Sequence, residues 1–454
     1  MCYGVKSFYG PGSFFSRLLY LSVPLLFSSL FVSCKVDVAC KQPNLGELVD
    51  VKDGIVYDDM LFVLSSPQDV LGWCSAYFTV FKIDKQSKSV SPYGNYLIDG
   101  KIANQIVLVK DKIMIPLQDK NSIYFASIES IKNNRTSSEQ IFLEVEDISY
   151  IYSYADVFLF SSIISRKIIL AQDVEQFINS GGKSGFISFN YFLERPVIVE
   201  INQQNYVAGI SEGENKVVFL PDKDFSVDAN VAVFNYRVSE FSSNLSNVVH
   251  FSKASNDNDD QWKDISLFYP IKFANKKLFV PSKLHKDDNS FVSGILILYT
   301  DCIFGHSEGK DDFGRNVSAC SFFLESSTGT DSQNIVYFDV FEYRYSYKTT
   351  DSVEVRIDDG IKLEEGEVRA KKEEKNFQDA IFYVFMFKEK KDNLEQAYID
   401  LWLENAGTFM FLGRKYVESS PFYHILDISL VNEKILLSFI FSNKNIFIES
   451  REFP

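Results

Sequence analysis

Asn104-Gln-Ile-Val-Leu-Val, Lys110-Asp111, Lys112-Ile-Met-Ile-Pro-Leu and Ser122-Ile-Tyr-Phe-Ala-Ser-Ile follow one another as strand, two-residue turn, strand and strand. The unit recurs. Ile148-Ser-Tyr-Ile-Tyr-Ser leads to Asp156-Val-Phe-Leu-Phe and then to Lys167-Ile-Ile-Leu-Ala. A third copy is His424-Ile-Leu-Asp-Ile-Ser-Leu-Val, the turn Asn432-Glu433, Lys434-Ile-Leu-Leu-Ser-Phe and Asn445-Ile-Phe-Ile-Glu. Runs of β-branched and aromatic residues bounded by Asn, Asp, Lys and Ser are the pattern of antiparallel meanders.

The middle strand of this unit recurs less cleanly along the chain. Its first apolar residue falls at Met60, Ile113, Val157, Val217, Leu278, Val336, Ile381 and Ile435, with spacings of 53, 44, 60, 61, 58, 45 and 54 residues. A period of that length with several strands per unit predicts an all-β chain folded as a single β-propeller of seven or eight blades. One small sheet cannot bury both of its faces alone, so sheets stack radially and cover one another. Middle strands buried on both sides then read as continuous apolar runs, as in Val157-Phe-Leu-Phe and Ile381-Phe-Tyr-Val-Phe. Stacked β-sandwiches, which also give short strands at regular spacing, are the alternative.

Little helix is expected. Asp173 to Asn179 reads as a short helix stopped by Ser180-Gly181-Gly182, and Lys362 to Lys375 as a charged hairpin or solvated helix. Because the last strand reaches almost to Pro454, the two ends of the chain are expected to share one blade, which removes free sheet edges.

The first 34 residues concern location. Lys6 and Arg17 precede an apolar run, Leu18 to Val32, of 15 residues that contains Pro24. About 20 apolar residues are needed to cross a bilayer as a helix, so this is the layout of an export signal. Phe31-Val32-Ser33-Cys34 resembles the relaxed lipoprotein box of spirochaete lipoproteins, with Phe31 standing where Leu is usual. The resemblance implies cleavage before Cys34 and acylation of its thiol. It divides the chain into a signal at 1–33, a lipid-anchored tether at 34–50 and the propeller at 51–454. An uncleaved anchor, or ordinary cleavage near Ala39, is the alternative.

Loss of the leader removes two positive charges and no acids, taking the formal charge from −15 to about −17. So acidic a domain is unsuited to nucleic acid, which needs clustered Lys and Arg, and to electrostatic adhesion to anionic lipid. Cys40, Cys74, Cys302 and Cys320 remain once Cys2 and Cys34 are set aside. They sit in a compartment where disulfides persist, and four cysteines allow three pairings. Cys302 with Cys320, enclosing a polar loop, is the favoured pair; free buried thiols are the alternative.

Ser255-Asn-Asp-Asn-Asp-Asp-Gln-Trp262 resembles a degenerate Asp-box of sialidase-type propellers, matched at Ser255, Asp257 and Trp262. In that family the box is a structural turn between outer strands of a blade, and it does not touch substrate. Sialidase chemistry would need three arginines on a carboxylate and a Tyr nucleophile. Arg195, Arg237, Arg344, Arg356 and Arg414 are scattered, and the early Arg-Ile-Pro signature is missing. No catalytic, metal or cofactor motif is found. The expectation is a non-enzymatic, lipid-anchored protein-interaction scaffold of the bacterial cell envelope, at the outer membrane or the periplasmic face, with an envelope or external protein partner. A surface-exposed ligand-binding lipoprotein and a sialidase-like glycan-processing enzyme are the alternatives. By architecture alone the chain resembles the propeller lipoprotein of outer-membrane barrel assembly.

Overall fold

The computed structural model describes residues 43–454 apart from internal stretches, the longest being 222–231, 236–250, 253–261, 301–320, 326–333 and 348–377. These residues form seven sheets arranged as the blades of a β-propeller, antiparallel except for one short parallel pair in the fifth, and a small two-stranded sheet at Gln68–Asp69 and Gly72–Trp73. Five blades have four strands, the fifth has six and the last has three. The second strands run Met60–Ser65, Lys112–Leu117, Val157–Ser162, Gln204–Ser211, Lys277–Lys286, Gln378–Lys391 and Lys434–Asn443. Six of the eight sequence markers fall on second strands. Val217 lies instead on the third strand of blade 4, and Val336 shares blade 6 with Ile381. The blade number is therefore seven. Residues 348–377, inserted between the first two strands of blade 6, made one blade read as two.

Burial explains why the second strands could be found. Every residue of Met60–Ser65 and of Val157–Ser162 is buried, whereas the innermost strand Val51–Tyr57 is half-buried throughout. Cores form between blades. Phe62, Phe78 and Val80 of blade 1 meet Ile113, Ile115 and Leu117 of blade 2, and equivalent clusters repeat around the ring. The inner hairpins close through tight turns in which Asp58, Lys110, Ala155, Gln203 and Lys276 take positive φ. The helix Val174–Asn179 is present as expected, with the Asp173 carboxylate accepting the Gln176 N–H and Gly181 and Gly182 at positive φ beyond its end.

Among the described residues the ring closes without the shared blade expected from sequence. Among the described residues blade 7 comprises Tyr423–Val431, Lys434–Asn443 and Asn445–Phe453, and the strands of blade 1 all precede Asn104. No strand is exchanged between them among the described residues. The seam is sealed by side chains: Leu48, Leu61, Val63, Phe81 and Ile83 pack with Phe422 and Ile440. Leu48 belongs to the segment that sequence reading treats as tether, and it is buried in this seam. A Cβ placed on Gly54 would lie 2.6 Å from the Phe422 ring, so the inner strand of blade 1 can approach blade 7 only without a side chain there. Gly54→Val is predicted to destabilise the fold by about 1–3 kcal/mol through overpacking, read as a lowered urea-unfolding midpoint.

Blades 5 and 6 are joined by buried charges. Lys277 and Glu404 side chains are 1% and 2% exposed, with Nζ 3.3 Å from Oε2. Lys277 Nζ donates to the Tyr383 hydroxyl at 2.8 Å, and that hydroxyl donates to Glu404 Oε2 at 2.8 Å. The Tyr299 hydroxyl donates to Oε1 at 3.2 Å. Each buried charge thus has hydrogen bonds in addition to its counter-ion. Removing one partner leaves the other charge unpaired in the core. Lys277→Met is predicted to cost about 3–5 kcal/mol, and Lys277→Met with Glu404→Met to recover most of that loss in the same unfolding measurement.

Candidate functional site

The inner strands alone have a side facing the ring axis, so they supply whatever lines the central channel. These strands neighbour one another around the axis. In six of the seven blades the pairing of the first strand with the second is broken by a register shift in its opening residues. The shifts lie at Val51/Asp53, Ile148/Tyr150, Glu194/Val197, Trp262/Asp264, Ile335/Tyr337 and Ile425/Asp427. A bulge adds an unpaired residue, increases local twist and re-aims side chains. Polar residues beside these bulges act on one another across several blades. Throughout, the top face is the end of the ring at which inner strands begin, and the bottom face the end at which the inner hairpins turn.

Asp339 is the hub. Its Oδ1 lies 3.1 Å from Lys272 Nζ of blade 5 and accepts the Val340 N–H at 2.9 Å; its Oδ2 accepts from the Tyr337 hydroxyl at 3.4 Å. Its charge also acts on Asp53 of blade 1, Tyr150 and Tyr152 of blade 3 and His424 of blade 7. Asp53 accepts the Gly54 N–H at 2.8 Å and the Ile106 N–H at 3.0 Å, which ties blade 1 to the start of blade 2. Burial nevertheless pushes the Asp53 carboxyl up to about 7, against the pull of those N–H groups and Lys272. Burial also holds His424 down at about 4 and raises the phenols of Tyr150, Tyr152 and Tyr337. At neutral pH these phenols are therefore protonated, the His424 imidazole is uncharged and the Asp53 carboxyl stands near its titration point. Such a lining can hydrogen-bond a polar ligand or hold the inner strands together.

The two titrating groups act on stability with opposite sign. Between about pH 4 and 7 the folded chain keeps a proton on Asp53 that the unfolded chain releases, so this contribution shrinks as pH rises. Between about pH 4 and 6.5 the unfolded chain protonates His424 and the folded chain does not, so that contribution grows as pH rises. Asp53→Asn removes the first effect at the cost of about one hydrogen bond. The melting temperature of the variant minus that of the parent is predicted to become more positive from pH 5 to pH 8, as measured by differential scanning calorimetry.

The two faces of the ring differ in chemistry. Leu97, Phe142, Leu394 and Tyr416 lie at top ends of strands, Ile163 and Ile164 form a hairpin tip there, and Val49, Phe291, Val336 and Phe447 lie on the same side. All of these are exposed, Leu394 at 69% and Ile164 at 65%. Among the described residues the one other large exposed apolar side chain is Leu45, in the segment leading to blade 1. The bottom face carries the turns at Asp58-Asp59, Lys110-Asp111 and Ala155-Asp156, with ion pairs Lys132–Asp58, Lys110–Asp156 and Lys112–Glu175.

Of the residues singled out from sequence, Cys34, Ser255, Asp257, Cys302 and Cys320 lie outside the described residues. Trp262 opens the strand Trp262–Leu267, which pairs with the second strand of blade 5, whereas an Asp-box joins outer strands. Cys74 is disulfide-bonded, and its partner cysteine is outside the described residues. Arg195 sits at the bulge of blade 4 with φ 45, and its charge reaches Tyr150. Arg414 instead pairs with Asp400 at 2.5 Å and stacks on Tyr398 at 3.9 Å within blade 6. No group of three or more metal-ligating side chains occurs among the described residues. Sequence reading missed Asp53, Asp339 and Lys272. Their one signal is an acid inside a β-branched or aromatic run, as in Val51-Lys-Asp-Gly-Ile-Val and Val336-Tyr-Phe-Asp-Val-Phe.

No family model matches the chain, and no curated protein matches it. Among solved structures it is similar to the AfRom2 CNH domain, with 6% identity, 91% of this chain and 98% of that one covered, and a TM-score of 0.40. It is also similar to the periplasmic gluconolactonase PpgL of Pseudomonas aeruginosa, at 9% identity, 81% and 84% coverage and a TM-score of 0.38. Kuenenia stuttgartiensis hydrazine synthase matches at 10% identity over 58% of this chain and 66% of its own, with a TM-score of 0.32. At such identities these likenesses concern the fold and not the activity.

Proposed function

We propose that the chain is an exported bacterial lipoprotein, cleaved before Cys34 and acylated on its thiol, whose propeller is a non-enzymatic protein-interaction scaffold of the cell envelope. The observation that carries this reading is the polarity of the disc, with exposed apolar tips on one face and short charged turns on the other. A rigid ring with two unlike faces is suited to sit between two environments and to present its polar side to a protein. The charged bottom face is the surface assigned to that partner. Affinity capture of the lipidated protein from detergent-solubilised envelope is predicted to recover an envelope protein in stoichiometric amount. Substitution of Asp58, Lys110 and Asp156 by residues of opposite charge is predicted to weaken that recovery. Intact mass of the N-terminal peptide reads the lipid on Cys34; an unmodified thiol with the leader retained would refute the anchor.

A second reading is a ligand-binding or glycan-processing propeller, and the channel favours it, because Arg195, Tyr150, Tyr152, Tyr337, Asp53 and Asp339 converge there. Turnover of sialosides that Arg195→Ala abolishes would establish it over the scaffold.

A further inference from the structure

We infer that the top face of the propeller rests on a lipid bilayer, with the apolar tips of several blades dipping into the interface. The exposed apolar residues are carried by separate strand ends and hairpins of blades 1, 2, 3, 5, 6 and 7, and by no comparable residue on the bottom face among the described residues. Tips spread around a disc match a planar, fluid surface, whereas a protein partner fits one contiguous, shape-complementary patch. Cations accompany several tips. Arg166 and Lys167 follow Ile163-Ile164, Lys390 precedes Leu394 and Lys444 precedes Phe447, all of them exposed. Apolar side chains flanked by Lys and Arg are the composition of interfacial segments.

The chain's own course brings this face near a membrane, and here the inference rests on the proposed anchor. Pro43 and Asn44 accept hydrogen bonds from Asn95 Nδ2 at 3.3 and 2.6 Å, two residues from Leu97 at the top end of the outer strand of blade 1. Eight residues, Lys35 to Gln42, separate Pro43 from Cys34. A fully extended segment of that length reaches about 30 Å. An acyl chain on Cys34 would therefore hold the top side of the ring within that distance of the bilayer.

The test uses residues 35–454, which lack Cys34 and contain the complete ring, since Pro43–Pro454 is a compact unit by itself. Sedimentation with phosphatidylcholine vesicles is expected to carry this chain into the pellet. The triple variant Ile163→Asp, Ile164→Asp, Leu394→Asp is expected to bind at least tenfold more weakly with an unchanged melting temperature. Should the triple variant melt lower, Ile164→Asp and Leu394→Asp singly are read in the same way. Failure of the parent chain to bind vesicles, or equal binding by the variants, overturns the inference. So does a dimer seen by light scattering that these substitutions break while vesicles are ignored, because the face would then join two copies of this chain. Acylation of Cys34 is read separately in the full chain, so a lipid on Cys34 without vesicle binding removes the top-face contact and leaves the anchor, and the converse result does the reverse.

Discussion

Burial of each blade's second strand between two neighbouring blades is the constraint from which the rest of this molecule follows. A four-stranded meander has two apolar faces and covers neither by itself. The ring supplies both covers at once, which is why Phe158, Phe160 and Leu159 lose almost all contact with water although they point to opposite sides of one strand. Seven such strands set the radius, and the inner strands are then forced close to the axis. Bulges at their openings are the means by which strands confined there take up extra twist.

What is legible in the sequence is what this constraint makes repetitive. The runs from Lys112, Asp156 and Lys434 are near copies because each meets the same environment. The helix after Asp173 is legible for a local reason, a cap and a pair of glycines. Blade 6 misleads because its insertion separates strands that pair directly, and proximity in sequence then counts Val336 and Ile381 as separate units. Ring closure is hidden for another reason. Gly54 and Phe422 are 368 positions apart, and neither carries a local sign that it faces the other.

The channel is hidden most thoroughly. Asp53, Lys272 and Asp339 belong to three blades, and their relation depends on closure of the whole ring and on bulges that leave no sequence signature. Their chemistry is nonetheless consistent with their place. The buried Asp53 carboxyl is pushed up despite two backbone N–H groups and Lys272, and Asp339 accepts from the Val340 N–H and the Tyr337 hydroxyl beside Lys272. The buried Lys277–Glu404 pair answers the same problem between blades, with tyrosine hydroxyls in place of water. Both arrangements hold neighbouring blades to one another with directional contacts, which apolar packing alone does not provide.

The seam between the last blade and the first has a consequence for how this chain must mature. Synthesis delivers blade 1 hundreds of residues ahead of blade 7, so Leu61, Val63 and Phe81 wait uncovered until the carboxyl-terminal meander arrives. Among the described residues no strand is shared that would tether the two ends early. During that interval the growing solenoid is open, greasy on one flank and prone to stick to its neighbours. Even a short carboxyl-terminal truncation would leave that flank permanently bare.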